Sequence, residues 1–531
     1  MSGVAGVTVV RSRAMQILTN AVSGAGRRIA AMVIGFGLTP FIVHALGLQQ
    51  FGLWAVIGSL AGYLGLLDFG LGGAFVKFIT EYVEQNRRDR ARQVISFGML
   101  FYAGFGLVLA IPVWIFSPYI VHLFKMPANQ MGNAVVLFHW LYALLIANMV
   151  LGLPGTAVVA MQRMDLASRN NFTGYLAYAG TTVLFVKLGW GIWGIVGAQG
   201  VQAAVSAGLQ YVTARKLFGP IWHNPARFER AILGRMFSFG AWTQLNSLLT
   251  IVSLDVGRFI SAGIVSVLSV SYYELGSKIG FFSRSMPAYL LDAIMPAAAA
   301  ADARGDEAGL DRMYRRGTLY NMFATLAIGG CLVGVADPLM RVWMGQHYPY
   351  VPAVILWLTV GYTAAGLTGV GATILRAQGT PRYETYLTGV SAAVNLLATV
   401  LLAPHFGIVG VAMGTAIGWC AGTAYFIVTY HRLRPSPWWS TVGSPVARLT
   451  FAAVVATVLL HLAVDVPFVS ALFGNRILGL AALAVAGTLY LAVFSGLAWV
   501  CGAFRFERDD LARRVTVIGG KLSARLGRQA A

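Results

Sequence analysis

Long apolar runs recur along this chain, separated by short clusters of charged residues or of Gly and Pro. A run that crosses a hydrocarbon core about 30 Å thick needs roughly 20 apolar residues, and a helix is the form that satisfies its own backbone groups in lipid. The spacing predicts fourteen membrane helices, over 29–48, 51–78, 94–116, 133–160, 171–187, 194–214, 237–260, 265–296, 318–339, 352–375, 384–403, 407–430, 447–463 and 477–502. The fold class this implies is an all-α polytopic membrane protein.

Composition supports that reading. Of 531 residues, 57% are hydrophobic and 11% charged, whereas soluble domains carry about 25% charged residues. The mean hydropathy is +0.70. In a soluble chain the net charge of +20 would suggest a nucleic-acid partner. With the N-terminus placed inside, however, the inward segments hold 32 of the 39 Lys and Arg residues, and the outward turns hold only Lys125, Lys187, Arg341 and Arg476. This asymmetry predicts that both termini are cytoplasmic, and it accounts for the charge without nucleic acid. Cys331, Cys420 and Cys501 fall in separate apolar spans and read as packing residues, with neither a disulfide framework nor metal spacing. The early run GVAGVTVV is too short to span, so the first helix is expected from residue 29 with no cleavable signal before it.

The chain also resembles itself. GIWGIVGAQGVQAAVSAGLQYVTARKL (191–217) matches HFGIVGVAMGTAIGWCAGTAYFIVTYHRL (405–433), with Gly194 against Gly407. AMQRM around Gln162 matches RAQGT around Gln378, and Phe-Ile recurs at Phe41 and Phe259. Offsets of 213, 216 and 218 point to one six-helix unit copied twice. Six crossings return the chain to the same side, so the copies keep one orientation, as in transporters with parallel repeats. The predicted organisation is an N-terminal six-helix bundle over 1–217, a basic interfacial linker over 218–236, a second bundle over 237–435, two further helices within 436–502 and a basic cytoplasmic tail over 503–531. The linker and tail are expected to rest on lipid headgroups.

Candidate chemistry lies with ionisable groups at bilayer depth, each of which costs at least about 2.5 kcal/mol to insert and so faces water or a partner. Asp68, Asp255, Arg258, Glu274, Lys278, Arg284 and Asp292 are such groups, five of them in or beside the predicted eighth helix. At about 100° per residue, Glu274, Lys278, Ser285 and Asp292 share one narrow stripe, with Arg284 about 80° to its side. Thr243, Asn246, Thr250 and Ser253 form a polar row on the seventh helix that leads to Asp255 and Arg258, and such a row lines either a helix contact or an aqueous path. Glu274 with Lys278 and Asp255 with Arg258 have the spacing of pairs that neutralise each other, and this structural reading stands beside a cavity role. Arg284 has no acid at such spacing, and an unpaired guanidinium suits two phosphate oxygens held at once. Asp68 lies among Gly65, Gly70, Gly72 and Gly73, where the backbone is free to approach closely or unwind, with Arg27 or Arg28 as an alternative partner.

LTPFIVHALGLQQFGLW (38–54), LLDFGLGGA (66–74), AMQRM, LDVGRFI and a proline-containing eighth helix leading to ADARGDEAGLDRMYRR carry a further likeness. In that order they resemble the polysaccharide transporter branch, with its Wzx-type oligosaccharide flippases, of the multidrug/oligosaccharidyl-lipid/polysaccharide (MOP) exporter superfamily. The likeness covers most of residues 15–435. It implies two six-helix bundles in a V around a central cavity, with two extra C-terminal helices. It implies a bacterial inner-membrane flippase that exports an undecaprenyl-diphosphate-linked oligosaccharide by alternating access, for exopolysaccharide or O-antigen assembly. The implied partners are that glycolipid, membrane lipids, a polysaccharide polymerase and a chain-length regulator. Asp68 and Asp255, which match family motifs, would be gate or ion-coupling residues. Arg284, Lys278, Arg258, Glu274 and Asn246 are expected in the cavity from their depth alone.

Enzymatic chemistry has little to work with. The longest outward turn, SPYIVHLFKMPANQMG (117–132), has no carboxylate, there is no GxxxxGKS phosphate loop, and the eight histidines lack metal spacing. The expectation is a non-enzyme without cofactor, driven by a proton or sodium gradient or by removal of product, with Asp68 or Glu274 as a proton acceptor if desolvated. The alternatives are a lipid II flippase, which also has fourteen spans, and a multidrug cation antiporter, which fourteen spans and three deep bases disfavour.

Overall fold

The computed structural model describes residues 27, 30–65, 71–124, 128–222, 234, 244, 248–249, 251, 257–434 and 437–505, and among them the regular structure is all helical. Helix α1 is Ala30–Leu46. There follow α2 Leu48–Leu64, α3 Leu71–Glu84, α4 Arg88–His122, α5 Ala128–Ala160, α6 Met164–Lys187 and α7 Gly191–Phe218. Beyond a π-helical turn at Ser261–Val265 come α8 Val267–Ala303, α9 Glu307–Gly334, α10 Ala336–Met344, α11 Val351–Gly366, α12 Gly369–Ala377 and α13 Arg382–Leu433. A second π turn at Trp439–Gly443 leads to α14 Ser444–Val464, α15 Pro467–Leu472 and α16 Arg476–Val500.

Eight helical stretches among the described residues are long and apolar enough to cross a membrane, α11 and α12 counting as one. The 52-residue α13 carries two predicted spans, parted at Gly407 where φ is 58°. The predicted span 352–375 is interrupted between α11 and α12. There Asn321 Nδ2 donates to Gly366 O at 2.8 Å, so a carbonyl at the interruption keeps a partner away from water.

Helix ends repeat with the duplicated sequence. α3, α5, α8 and α12 each stop at a residue with positive φ: Asn86 (56°), Gln162 (57°), Gly305 (66°) and Gly379 (75°). In every case that residue donates its N–H three positions back and the next residue donates five back, the Schellman arrangement that satisfies the last free carbonyls. Asn86 and Gly305 are 219 residues apart, and Gln162 and Gly379 are 217 apart. The second pair shifts the sequence alignment by one. Gln162 corresponds to Gly379 rather than to Gln378, because the left-handed backbone position, not the shared glutamine, is what the two turns have in common.

The hairpin of α6 and α7 likewise recurs in the two arms of α13. A Cβ on Gly174 would meet Ser206 Oγ and Gln202 O, and one on Gly422 would meet Ser391 Oγ and Leu387 O. Residue 174 maps to 391 and 206 to 422, so the same Gly–Ser contact returns with the glycine on the opposite helix. Small residues at such crossings let helix backbones approach closely. Gly174→Ala and Gly422→Ala are each expected to destabilise the protein by about 1–3 kcal/mol through overpacking, read as a lower melting temperature in detergent. Gly180→Ala on α6, whose Cβ would meet nothing within 4 Å, is the control that leaves the melting temperature unchanged or raised.

The helices form two compact units, Met1–Glu274 with Thr399–Val411, and Leu275–Ala398 with Ala412–Ala531. In the first, α4 and α5 carry two apolar cores. One gathers Phe75, Ile79, Ile95, Leu153 and Phe218; the other gathers Leu53, Val56, Ile57, Phe138 and Val196. Because α2 commits Leu53, Val56 and Ile57 to the second core, its row Trp54–Gly58–Gly62, at i,i+4, falls on the other side of the helix.

Candidate functional site

That row of α2 and its neighbours Ala55, Ser59 and Tyr63 line a cavity of about 380 Å³ within the first unit, together with Gln199 of α7, Ile251, Arg258 and Glu274. A Cβ added to Gly58 or Gly62 would meet nothing within 4 Å, so the cavity reaches the helix backbone. Opposite it the chain folds back on itself. Ser266 is extended (φ −173°, ψ 162°) between the π turn and α8, and Ser261 Oγ lies 2.6 Å from Ser269 Oγ across the reversal. The same reversal brings Arg258 Nε to 2.9 Å from Glu274 Oε2, with side chains 22% and 11% exposed. Arg258 Nη1 also donates to Ser59 Oγ at 3.2 Å. Tyr63 donates to Ile251 O at 3.4 Å and meets Phe259 edge-on with ring centroids 5.0 Å apart. Trp54 Nε1, shielded from solvent, has no acceptor among the described residues.

A second cavity of about 260 Å³ adjoins the first. It shares Gly58, Gly62 and Gln199 with it and adds Asn148 of α5 and Gln202 of α7. Among the described residues, one chamber thus holds an ion pair and the other neutral groups.

Arg284 belongs to the second unit. Its guanidinium carbon lies 4.3 Å from the Trp419 ring centroid and 5.8 Å from that of Tyr362, a contact worth up to about 2 kcal/mol when desolvated. Arg284 Nη1 is buried without a hydrogen-bond partner among the described residues, and so is Trp419 Nε1. Aromatic faces therefore hold the cation, while a donor on each of two side chains remains unspent.

The sequence spacing pairs Glu274 with Lys278 and Asp255 with Arg258; the structure brings Arg258 to Glu274. Lys278 is half-buried on α8. Asp68, Asp255 and Asn246 lie outside the described residues, as do Thr243, Thr250, Ser253 and the side chain of Asp292. A search restricted to ionisable residues misses Trp54, Ser59, Tyr63, Asn148, Gln199 and Gln202. The available signal was neutral: two amides at i,i+3 in an apolar helix, and two glycines one turn apart.

Removing one partner of the ion pair strands the other. Arg258→Ala is expected to cost about 3 kcal/mol, the low end for a buried pair because both side chains keep some exposure. Adding Glu274→Ala to that variant recovers part of the loss. A double-mutant cycle on thermal or denaturant unfolding checks this.

Residues 17–300 match a family described as Polysaccharide biosynthesis protein. The uncharacterized membrane protein EpsK of Bacillus subtilis (strain 168) is 21% identical over 409 residues, covering 76% of this chain and 80% of that one. The putative O-antigen transporter of Shigella flexneri is 21% identical over 411 residues, covering 76% and 95%. Among solved structures, the lipid II flippase MurJ in an inward closed conformation aligns with a TM-score of 0.70 at 13% identity, over 92% of this chain and 100% of that one, a likeness of fold.

Proposed function

The chain belongs to the polysaccharide biosynthesis protein family, and on that premise we propose that it carries an undecaprenyl-diphosphate-linked oligosaccharide from the inner to the outer leaflet of the bacterial cytoplasmic membrane. It is a multi-pass transporter of the MOP type. The glycan would feed exopolysaccharide or O-antigen assembly, with a polymerase and a chain-length regulator downstream. Both termini lie in the cytoplasm, and the chain catalyses no bond-making step of its own.

The observation that carries this reading is the polar chamber in the first unit, set among apolar helices and open to the backbone of Gly58 and Gly62. A diphosphate and its sugars pay a prohibitive desolvation cost in hydrocarbon, so the head group needs a lined path while the polyprenyl tail stays in lipid. Arg258 offers its planar fork to phosphate oxygens, and Trp54, Ser59 and Tyr63 offer neutral groups beside it. Glu274 holds Arg258. Protonation of Glu274 would release the guanidinium to the diphosphate, which is one way for a proton gradient to drive the cycle. Arg284, with Nη1 unspent, supplies a further contact for an anionic group. Lys278 and Asn246 line the path, and Asp68 and Asp255 act as gate or ion-coupling residues.

Deletion of the gene in its host tests the pathway. Loss of surface polysaccharide with intact peptidoglycan is the expected phenotype. Lysis would instead assign the chain to lipid II.

A further inference from the structure

The second chamber lies beside the ion pair and shares its glycine floor. Its polar groups are three side-chain amides. Gln199 and Gln202 sit three residues apart on one side of α7, and neither amide hydrogen-bonds to any described residue. Asn148 donates Nδ2 to Leu144 O at 3.0 Å, which leaves Oδ1 for another partner. Elsewhere on the same helix an amide at depth is fully engaged. Gln210 Nε2 donates to Ala167 O at 3.1 Å and to Asn171 Oδ1 at 3.3 Å, while its Oε1 accepts from Asn170 at 3.4 Å. Gln210 is buried, whereas Gln199 and Gln202 are half-exposed along the chamber, so their donors and acceptors stay available to whatever enters it.

We propose that Asn148, Gln199 and Gln202 form a subsite for the uncharged sugar that adjoins the diphosphate, an inference that rests on the flippase reading above. Sugar hydroxyls both donate and accept, as amides do, and Leu141, Leu144 and Leu145 offer apolar wall to a ring's C–H face. Among the described residues none that line this chamber is ionisable, so a uronic acid would bring a carboxylate to a neutral lining. Gly58 and Gly62 floor both chambers, so a head group lying across them places its diphosphate toward Arg258 and its first sugar among the amides.

The test uses the full-length protein in nanodiscs, with binding measured by calorimetry to undecaprenyl diphosphate and to the same lipid carrying one glucose. Wild type is expected to bind the glucosylated lipid about tenfold more tightly, the worth of one or two neutral hydrogen bonds. Gln202→Leu, whose side chain lines the second chamber and not the first, cuts that gain and leaves affinity for the bare lipid unchanged, which also reports that the variant is folded. A variant that keeps the full preference for glucose overturns the subsite and leaves the flippase reading standing. Wild type that binds neither lipid overturns both. A comparison within wild type alone is independent of any variant's folding: the lipid carrying glucuronic acid should bind about tenfold more weakly than the glucosylated one, and equal or tighter binding overturns the subsite.

Discussion

Gly62→Leu is expected to stop transport and leave the protein folded. A Cβ at Gly62 meets nothing within 4 Å, and leucine is favoured over glycine in a helix interior by up to about 1 kcal/mol. Its side chain would extend into both chambers, whose shared floor is Gly58 and Gly62. A head group would then have to displace a branched apolar side chain from the only space beside Arg258 that the account gives it. The expected loss of translocation is at least about 100-fold, equivalent to roughly 3 kcal/mol of lost binding, with a melting temperature equal to or above wild type. Gly62→Ala should stay close to wild type in both readouts. Gly52→Leu, one helix face away, is the contrast: its Cβ would strike Val267 O and Ser271 Oγ, so it should fail by misfolding. If Gly62→Leu transports normally, the chamber is not on the path.

Arg284→Met is the second large expected effect, and its two readouts move in opposite directions. The guanidinium lies between Trp419 and Tyr362 with Nη1 buried and unpartnered. Replacing a buried charge by an apolar side chain of similar volume is neutral or stabilising by about 1–4 kcal/mol, less the cation–π contact of up to about 2 kcal/mol. The variant should therefore melt no lower than wild type. Translocation of a diphosphate-linked glycolipid should fall about 10- to 100-fold, the worth of one hydrogen bond to a charged group. Arg284→Lys keeps the charge and loses the planar fork, and should fall between. Unchanged translocation in Arg284→Met would remove the residue from the mechanism, and a large drop in melting temperature would make it a structural residue.

Much of the architecture was legible in the sequence because bilayer thickness imposes a run length that composition cannot disguise. The spans 447–463 and 477–502 return almost unchanged as α14 and α16. Interruptions within a span left little trace. The gap between α11 and α12 falls at Leu367–Thr368, apolar and β-branched residues that read as continuing helix, and the distant amide of Asn321 joins local turn bonds in satisfying the backbone there. The duplication was visible as text but misaligned by one residue at Gln162, since a backbone angle rather than a side chain is the repeated feature. Site residues divide along the same line. Arg258, Glu274 and Arg284 announced themselves by charge at depth. Their partners did not, because helix spacing pairs near neighbours, whereas the fold-back at Ser266 carries Arg258 across to Glu274. Gln199, Gln202 and Asn148 are neutral and common in membrane helices, so only the shape of the cavity sets them apart.

The central claim is that this chain moves the polar head of a polyprenyl-diphosphate-linked glycan across a bilayer. The most direct measurement places the purified protein in sealed proteoliposomes with a short undecaprenyl-diphosphate-linked oligosaccharide, and follows how fast an impermeant enzyme added outside gains access to the inner-leaflet sugar. Access is expected to be complete with wild type, driven by a proton or sodium gradient, and to stay near half with Gly62→Leu, as in protein-free vesicles. Wild-type vesicles that also stop near half under every gradient, with the protein folded, would contradict it.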